Sequence, residues 1–266
     1  MEQATSADGT TIAFDRSGRG PALVLVGGAL SDRAAAVGLA GKLAPRFTVI
    51  AFDRRGRGDS GDTAPYAVER ELEDIVALLD GAGGSAFVFG HSSGAVLALE
   101  TARTFPERVP KVAVYEPPFI VDDSRAPLPA DYAGQLGTLV SEGRRGDAVA
   151  YFLTTGPGVP AEAVESMRTE EYWPSLEAVA HTLAYDAAVM GDTMGGSPAP
   201  LERWASLRVP TLVMAGGASP SWQQHGARAL ASVLPDARHR TLEGQDHGPA
   251  DEVLLPVLED FFTDRR

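Results

Sequence analysis

Gly90-His91-Ser92-Ser93-Gly94 directly follows a short apolar run, Ala86-Phe87-Val88-Phe89, and directly precedes an alanine-rich helical stretch. In that context the pentapeptide reads as a nucleophile elbow. A Gly-x-Ser-x-Gly turn takes the chain from strand to helix so abruptly that the serine is held in a strained backbone conformation. The glycines on either side remove Cβ atoms that would collide there. Ser92 is thereby presented at a helix N-terminus, where the free backbone N–H of Ser93 can face an oxygen that turns negative during acyl transfer. Taken alone, the five residues also fit an inert Gly/Ser-rich loop, so the surrounding sequence has to decide.

Upstream, Thr10 to Asp15 alternates like a strand, and Leu23-Val24-Leu25-Val26 and Thr48-Val49-Ile50-Ala51-Phe52 are continuous apolar runs of the kind a buried parallel strand shows. Between them and the elbow, Val68, Leu72, Ile75, Val76 and Leu79 line one face of a helix. Downstream, strands are expected at Val112–Tyr115, Thr211–Ala215 and Arg238–Leu242, with helices at about 221–234 and 251–263. Strands alternating with helices predict an α/β fold, a mostly parallel sheet flanked by helices on both faces. The alternation stops between Phe119 and Trp204, a segment rich in proline and in bulky apolar residues. It is too long for a structureless loop in a compact domain and reads as an inserted helical cap. The expected organisation is a core of residues 1–118 and 205–266, with the cap at 119–204.

The chain of 266 residues is long enough for one such domain. It contains no cysteine, which excludes a disulfide framework, a thiolate metal site and a cysteine nucleophile. A net charge of −13 opposes binding to nucleic acid or an anionic membrane surface. The opening residues Met1 to Ser6 are polar and lack a basic-then-apolar leader, so a cytoplasmic protein is expected. No metal or cofactor is called for, and a homodimer is compatible with what the sequence shows.

A serine hydroxyl needs a histidine to take its proton, and the histidine needs an acid to hold its tautomer. Of five histidines, His247 is placed by topology, in the loop between the last strand and the closing helix, facing the same sheet edge as the elbow. His91 neighbours the serine but is expected to point away from it. The oxyanion hole needs two backbone donors. Ser93 supplies one, and the turn Gly27-Gly28-Ala29-Leu30 after its strand suggests Ala29 for the other.

The ordered set Gly27-Gly28-Ala29, Asp53-Arg54-Arg55-Gly56-Arg57-Gly58-Asp59-Ser60, Gly90-His91-Ser92-Ser93-Gly94 and Gln245-Asp246-His247 resembles the α/β-hydrolase fold over essentially the whole chain. Two departures stand out. The common His-Gly of the first turn is Gly27-Gly28. The usual Gly-x-x-Asp turn after the strand 211–215 reads Gly216-Gly217-Ala218-Ser219-Pro220, so the commonest position for the triad acid holds a serine. Glu116, at the end of the strand following the elbow strand, is the leading candidate to replace it. Asp246, Asp122 and Asp123 are rivals. The arrangement resembles a subgroup that includes the fungal zearalenone lactonases, in which a glutamate after that strand is the acid.

The resemblance implies a hydrolase acting on an ester or lactone bond, with Ser92 as nucleophile, His247 as base and Glu116 as acid. The apolar character of the cap suggests a hydrophobic small-molecule substrate, with Leu30, Trp173, Tyr185 and Met190 on the pocket wall. C–C bond hydrolysis, acyl transfer or cyclisation would use the same residues, and a protein that binds a small ligand without turnover is the non-enzymatic alternative.

Overall fold

A computed structural model describes residues 1–264. Eight strands and ten α-helices occur among them: β1 (Glu2–Thr5), β2 (Thr11–Gly18), β3 (Ala22–Val26), α1 (Val37–Leu43), β4 (Thr48–Phe52), α2 (Val68–Gly81), β5 (Phe87–His91), α3 (Ser93–Thr104), β6 (Val112–Tyr115), α4 (Tyr132–Ser141), α5 (Arg145–Thr155), α6 (Ala161–Met167), α7 (Trp173–Ala178), α8 (Leu183–Met190), β7 (Thr211–Gly216), α9 (Ser221–Val233), β8 (Ala237–Leu242) and α10 (Asp251–Thr263). They form the expected α/β architecture. The sheet order is β1-β2-β4-β3-β5-β6-β7-β8. β1 and β2 run antiparallel at one edge, and every pairing from β4 to β8 is parallel.

The continuous apolar runs have a simple cause. Successive strand residues point to opposite faces, and both faces are covered. In β3, Leu23 and Leu25 face Leu39 and Leu43 of α1 and Leu254, Leu258 and Phe262 of α10. Val24 and Val26 face the opposite layer, which includes Leu72 and Ile75 of α2, much of α3, and Leu230 of α9. Each fully buried side chain of this kind contributes about 1.5–3 kcal/mol. Two elements were not legible in the sequence. β1 is largely exposed at the sheet edge and therefore polar, and α1 is only seven residues long.

Of the predicted face of α2, Leu72, Ile75 and Leu79 are buried while Val68 and Val76 are only half-buried, and the helix also carries Glu71 and Asp74 inward. These carboxylates pair with the turn after β4. Glu71 binds Arg54 through two contacts of 2.6 Å, and Asp74 binds Arg55 at 2.7 and 2.8 Å. Three arginines, Arg54, Arg55 and Arg57, are thus almost wholly buried, which charged groups tolerate only when paired.

Between β6 and β7 the chain forms the helical insertion α4–α8. It has its own apolar cluster, including Leu136, Val149, Leu153, Val164 and Trp173. Its edges remain part of the sheet core: Phe119, Ile120 and Val121, and likewise Leu201 and Trp204, pack with the α2/α3 layer. Among the described residues, no helix is long and apolar enough to cross a membrane.

Candidate active site

Ser92 stands between β5 and α3 with φ 55° and ψ −127°, a left-handed conformation that costs a residue with a Cβ atom energy and persists only where its surroundings hold it. The surroundings do so. Ser92 N–H donates to Tyr115 O at 3.0 Å, and Ala95 N–H to Ser92 O at 2.9 Å. The motif glycines are required by close approach. A Cβ on Gly90 would lie 2.6 Å from Ala95 Cα, and one on Gly94 would collide with the carbonyl oxygens of Val26 and Gly27.

Glu116 directly follows β6 and also has positive φ, 45°. This turns its side chain, which is fully buried, toward β7 and the last loop. Gly216 N–H donates to Oε1 at 2.7 Å, and His247 Nδ1 lies 2.7 Å from Oε2. Burial raises the carboxyl pKa, but His247, the Ser219 side chain and the Gly216 N–H together outweigh it and hold the group below its ordinary value. Glu116 is therefore a carboxylate at neutral pH and fixes the ring proton on Nδ1. The Gln223 side-chain amide, from α9, lies 2.9 Å from the same Nδ1.

Two of the three rival acids are engaged elsewhere. Asp246 Oδ1 accepts the Gly248 N–H at 2.9 Å, and Asp122 Oδ2 lies 2.7 Å from His225 Nδ1. Among the described residues, no hydrogen bond joins Ser92 Oγ to the His247 ring. Both side chains line one cavity, and catalytic hydrogen bonds of unliganded enzymes commonly tighten only around substrate.

That cavity, of about 770 Å³, lies between the sheet edge and the helical insertion and is bounded by Leu30, Phe152, Leu153, Met190, Met194 and Trp222. Ala29 and Ser93 also reach it, whereas Glu116 stands behind the ring. Trp173 and Tyr185, expected on the wall, do not line it. Trp173 is in the core of the insertion, its Nε1–H donating to Glu177 at 2.7 Å. Tyr185 stacks on Tyr66 with ring centroids 3.9 Å apart and donates to Asp62 at 2.9 Å. Helix phase explains the split. Tyr185 and Met190 are five positions apart on α8, about 140° around the axis at ~100° per residue, so one of them faces the cavity and the other does not.

His91 and Gln223 are the neighbours of His247 that local sequence did not reveal. The His91 ring bonds the backbone carbonyl of His247 at 2.8 Å. Burial, with repulsion from His247 in second place, lowers its pKa from the ordinary 6.5 to about 4. The ring is thus neutral at pH 7 and donates from Nε2. Between pH 6.5 and 4 the unfolded chain binds a proton at His91 that the folded protein refuses, so stability falls as pH falls through this window. Urea midpoints measured from pH 7 to 4 should therefore drop less steeply for His91→Gln than for the natural protein. Parallel curves would refute the assignment.

Residues 22–254 match the model of the "Alpha/beta hydrolase family". A crystal structure of an alpha/beta hydrolase from Sphaerobacter thermophilus is 58% identical, with a TM-score of 0.92 over 98% of this chain and 100% of that one. A 2-(acetamidomethylene)succinate hydrolase of Mesorhizobium japonicum is 27% identical over 258 residues, 94% of this chain and 91% of that protein. The enol-lactonase from Burkholderia xenovorans, at 20% identity and a TM-score of 0.72 over 99% of this chain and 100% of that one, shares the fold.

Proposed function

The chain belongs to the alpha/beta hydrolase family, and from that premise we propose that it is a serine hydrolase that cleaves an ester or lactone bond of a hydrophobic small molecule. Ser92 Oγ attacks the carbonyl carbon while His247 Nε2 takes its proton. Glu116 holds Nδ1–H and stabilises the imidazolium by charge. The carbonyl oxygen, now negative, is received by the backbone N–H groups of Ala29 and Ser93. Collapse of the tetrahedral intermediate expels the alcohol oxygen, which regains a proton from His247. Water, deprotonated by the same ring, then releases the acid from the acyl-enzyme.

The observation that carries this reading is the 2.7 Å contact between Glu116 Oε2 and His247 Nδ1, made where His247 shares a cavity with the strained Ser92. The resemblance to the subgroup with a glutamate acid supports an ester or lactone as the target. The apolar wall of Leu30 and Met190 suits a hydrophobic acyl or alcohol group. The helical insertion acts as a cap that selects the substrate.

A fluorophosphonate probe tests the proposal. It should label the protein on Ser92, because only an activated serine attacks phosphorus quickly. A native protein that stays unlabelled would refute it.

A further inference from the structure

Asp186, on α8 of the helical insertion, is only 3% exposed. Its carboxylate lies between two buried guanidinium groups from the turn after β4: Arg54 Nη1 donates to Oδ1 at 2.7 Å and Arg57 Nη2 to Oδ2 at 2.7 Å. A third donor is Ser93, whose Oγ is 2.6 Å from Oδ1. With Glu71 on the remaining edge of Arg54, two cations meet two carboxylates in one buried cluster, the condition under which buried charges persist. Burial raises the Asp186 carboxyl pKa, but Arg57 and Arg54 hold it below its ordinary value.

The cluster reaches the reaction centre at two points. One is Ser93, the residue whose backbone N–H begins α3 beside the nucleophile. The other is the turn after β3: Arg57 Nη1 donates to Gly28 O at 2.5 Å and to Ser31 O at 3.2 Å. A trans peptide is planar, so an arginine that fixes the Gly28 carbonyl also fixes the Ala29 N–H, which points the opposite way. Gly28 itself lies against the nucleophile, since a Cβ there would come within 2.8 Å of Ser92 Cβ.

We propose that Asp186 is a positioning residue for the oxyanion hole, holding the side chain of Ser93 directly and the Gly28–Ala29 peptide through Arg57. Both amides assigned to the oxyanion are then set by one carboxylate carried on the helical insertion. The same helix walls the cavity through Met190, so seating of the insertion and preorganisation of the hole are one event. This inference rests on the serine-hydrolase reading and adds a residue to it.

The test uses hydrolysis of p-nitrophenyl acetate, together with inhibition by phenylboronic acid, which forms a tetrahedral adduct on Ser92. Losing one oxyanion donor costs about 10²–10³ in kcat, so Asp186→Asn should lower kcat by about 10² with KM little changed. Boronate inhibition should weaken in parallel, while the pH profile keeps its shape because His247 and Glu116 are untouched. Ser93→Ala, which removes one hydroxyl and leaves the amide, should lower kcat about tenfold. The double variant should be no worse than Asp186→Asn alone, since both changes break one network.

A purely structural role would reduce melting temperature and leave kcat and boronate affinity intact, and that result would overturn the proposal. Should Asp186→Asn fail to fold, Ser93→Ala decides, and wild-type kcat and boronate affinity there refute it. Failure of the hydrolase reading is a different result, in which the natural protein neither turns over the ester nor binds the boronate.

Discussion

Ser92→Ala and His247→Ala should each lower kcat by about 10⁴-fold or more, with substrate affinity little changed. A neutral serine hydroxyl is a poor nucleophile, and its attack depends on simultaneous proton transfer to the ring, so removing either partner removes the same step. The double variant should therefore cost about as much as one change alone rather than the product of both. What survives is the rate supplied by the oxyanion amides and by substrate binding. Steady-state kinetics on a p-nitrophenyl ester measures this directly. Independent, multiplying losses would mean that the two residues do not act on one proton.

The second large effect is expected at Glu116. Glu116→Gln is close to isosteric, and the amide oxygen can keep the bond from Gly216 N–H that Oε1 accepts at 2.7 Å. The amide nitrogen then faces His247 Nδ1 as a donor, which demands an unprotonated Nδ1 and puts the ring proton on Nε2, the atom that must receive the proton of Ser92. The ring is left in the wrong tautomer, and the imidazolium loses its charged partner. With the fold retained, kcat should fall by about 10³–10⁴ while KM moves little. Asp246→Asn and Asp122→Asn should cost far less, because Asp246 caps the Gly248 N–H and Asp122 pairs with His225. Near-normal turnover by Glu116→Gln, or a crippled Asp246→Asn, would move the acid elsewhere.

The parts of the fold legible in the sequence are those written in local pattern. The apolar runs of β3 and β4 announce strands covered on both faces, and the elbow is a local backbone requirement for glycine around Ser92. Topology singles out His247 and Glu116, since each follows the end of a parallel strand, and the structure brings their side chains within 2.7 Å of one another. The wall of the cavity was legible only in part: Leu30 and Met190 line it, and Trp173 and Tyr185 do not. Trp173 and Tyr185 are as bulky as Tyr132 and Phe152, and which of them faces inward depends on helix phase and on how the helices of the insertion seat. The Asp186 cluster was equally hidden. Its bonds to Ser93 and Arg57 span 93 and 129 residues, and an Asp in a helix or an Arg in a turn carries no local sign of its distant partner.

The rate at which a fluorophosphonate modifies Ser92 tests the central claim most directly, because it needs no knowledge of the natural substrate. Labelling should be fast in the natural protein, map to the peptide containing Ser92, and vanish in Ser92→Ala. It should be strongly slowed in Glu116→Gln, where the hydroxyl remains but the ring is in the wrong tautomer. Equal labelling of the natural protein and Ser92→Ala, or a rate in Glu116→Gln equal to that of the natural protein, would contradict a serine activated by His247 and Glu116.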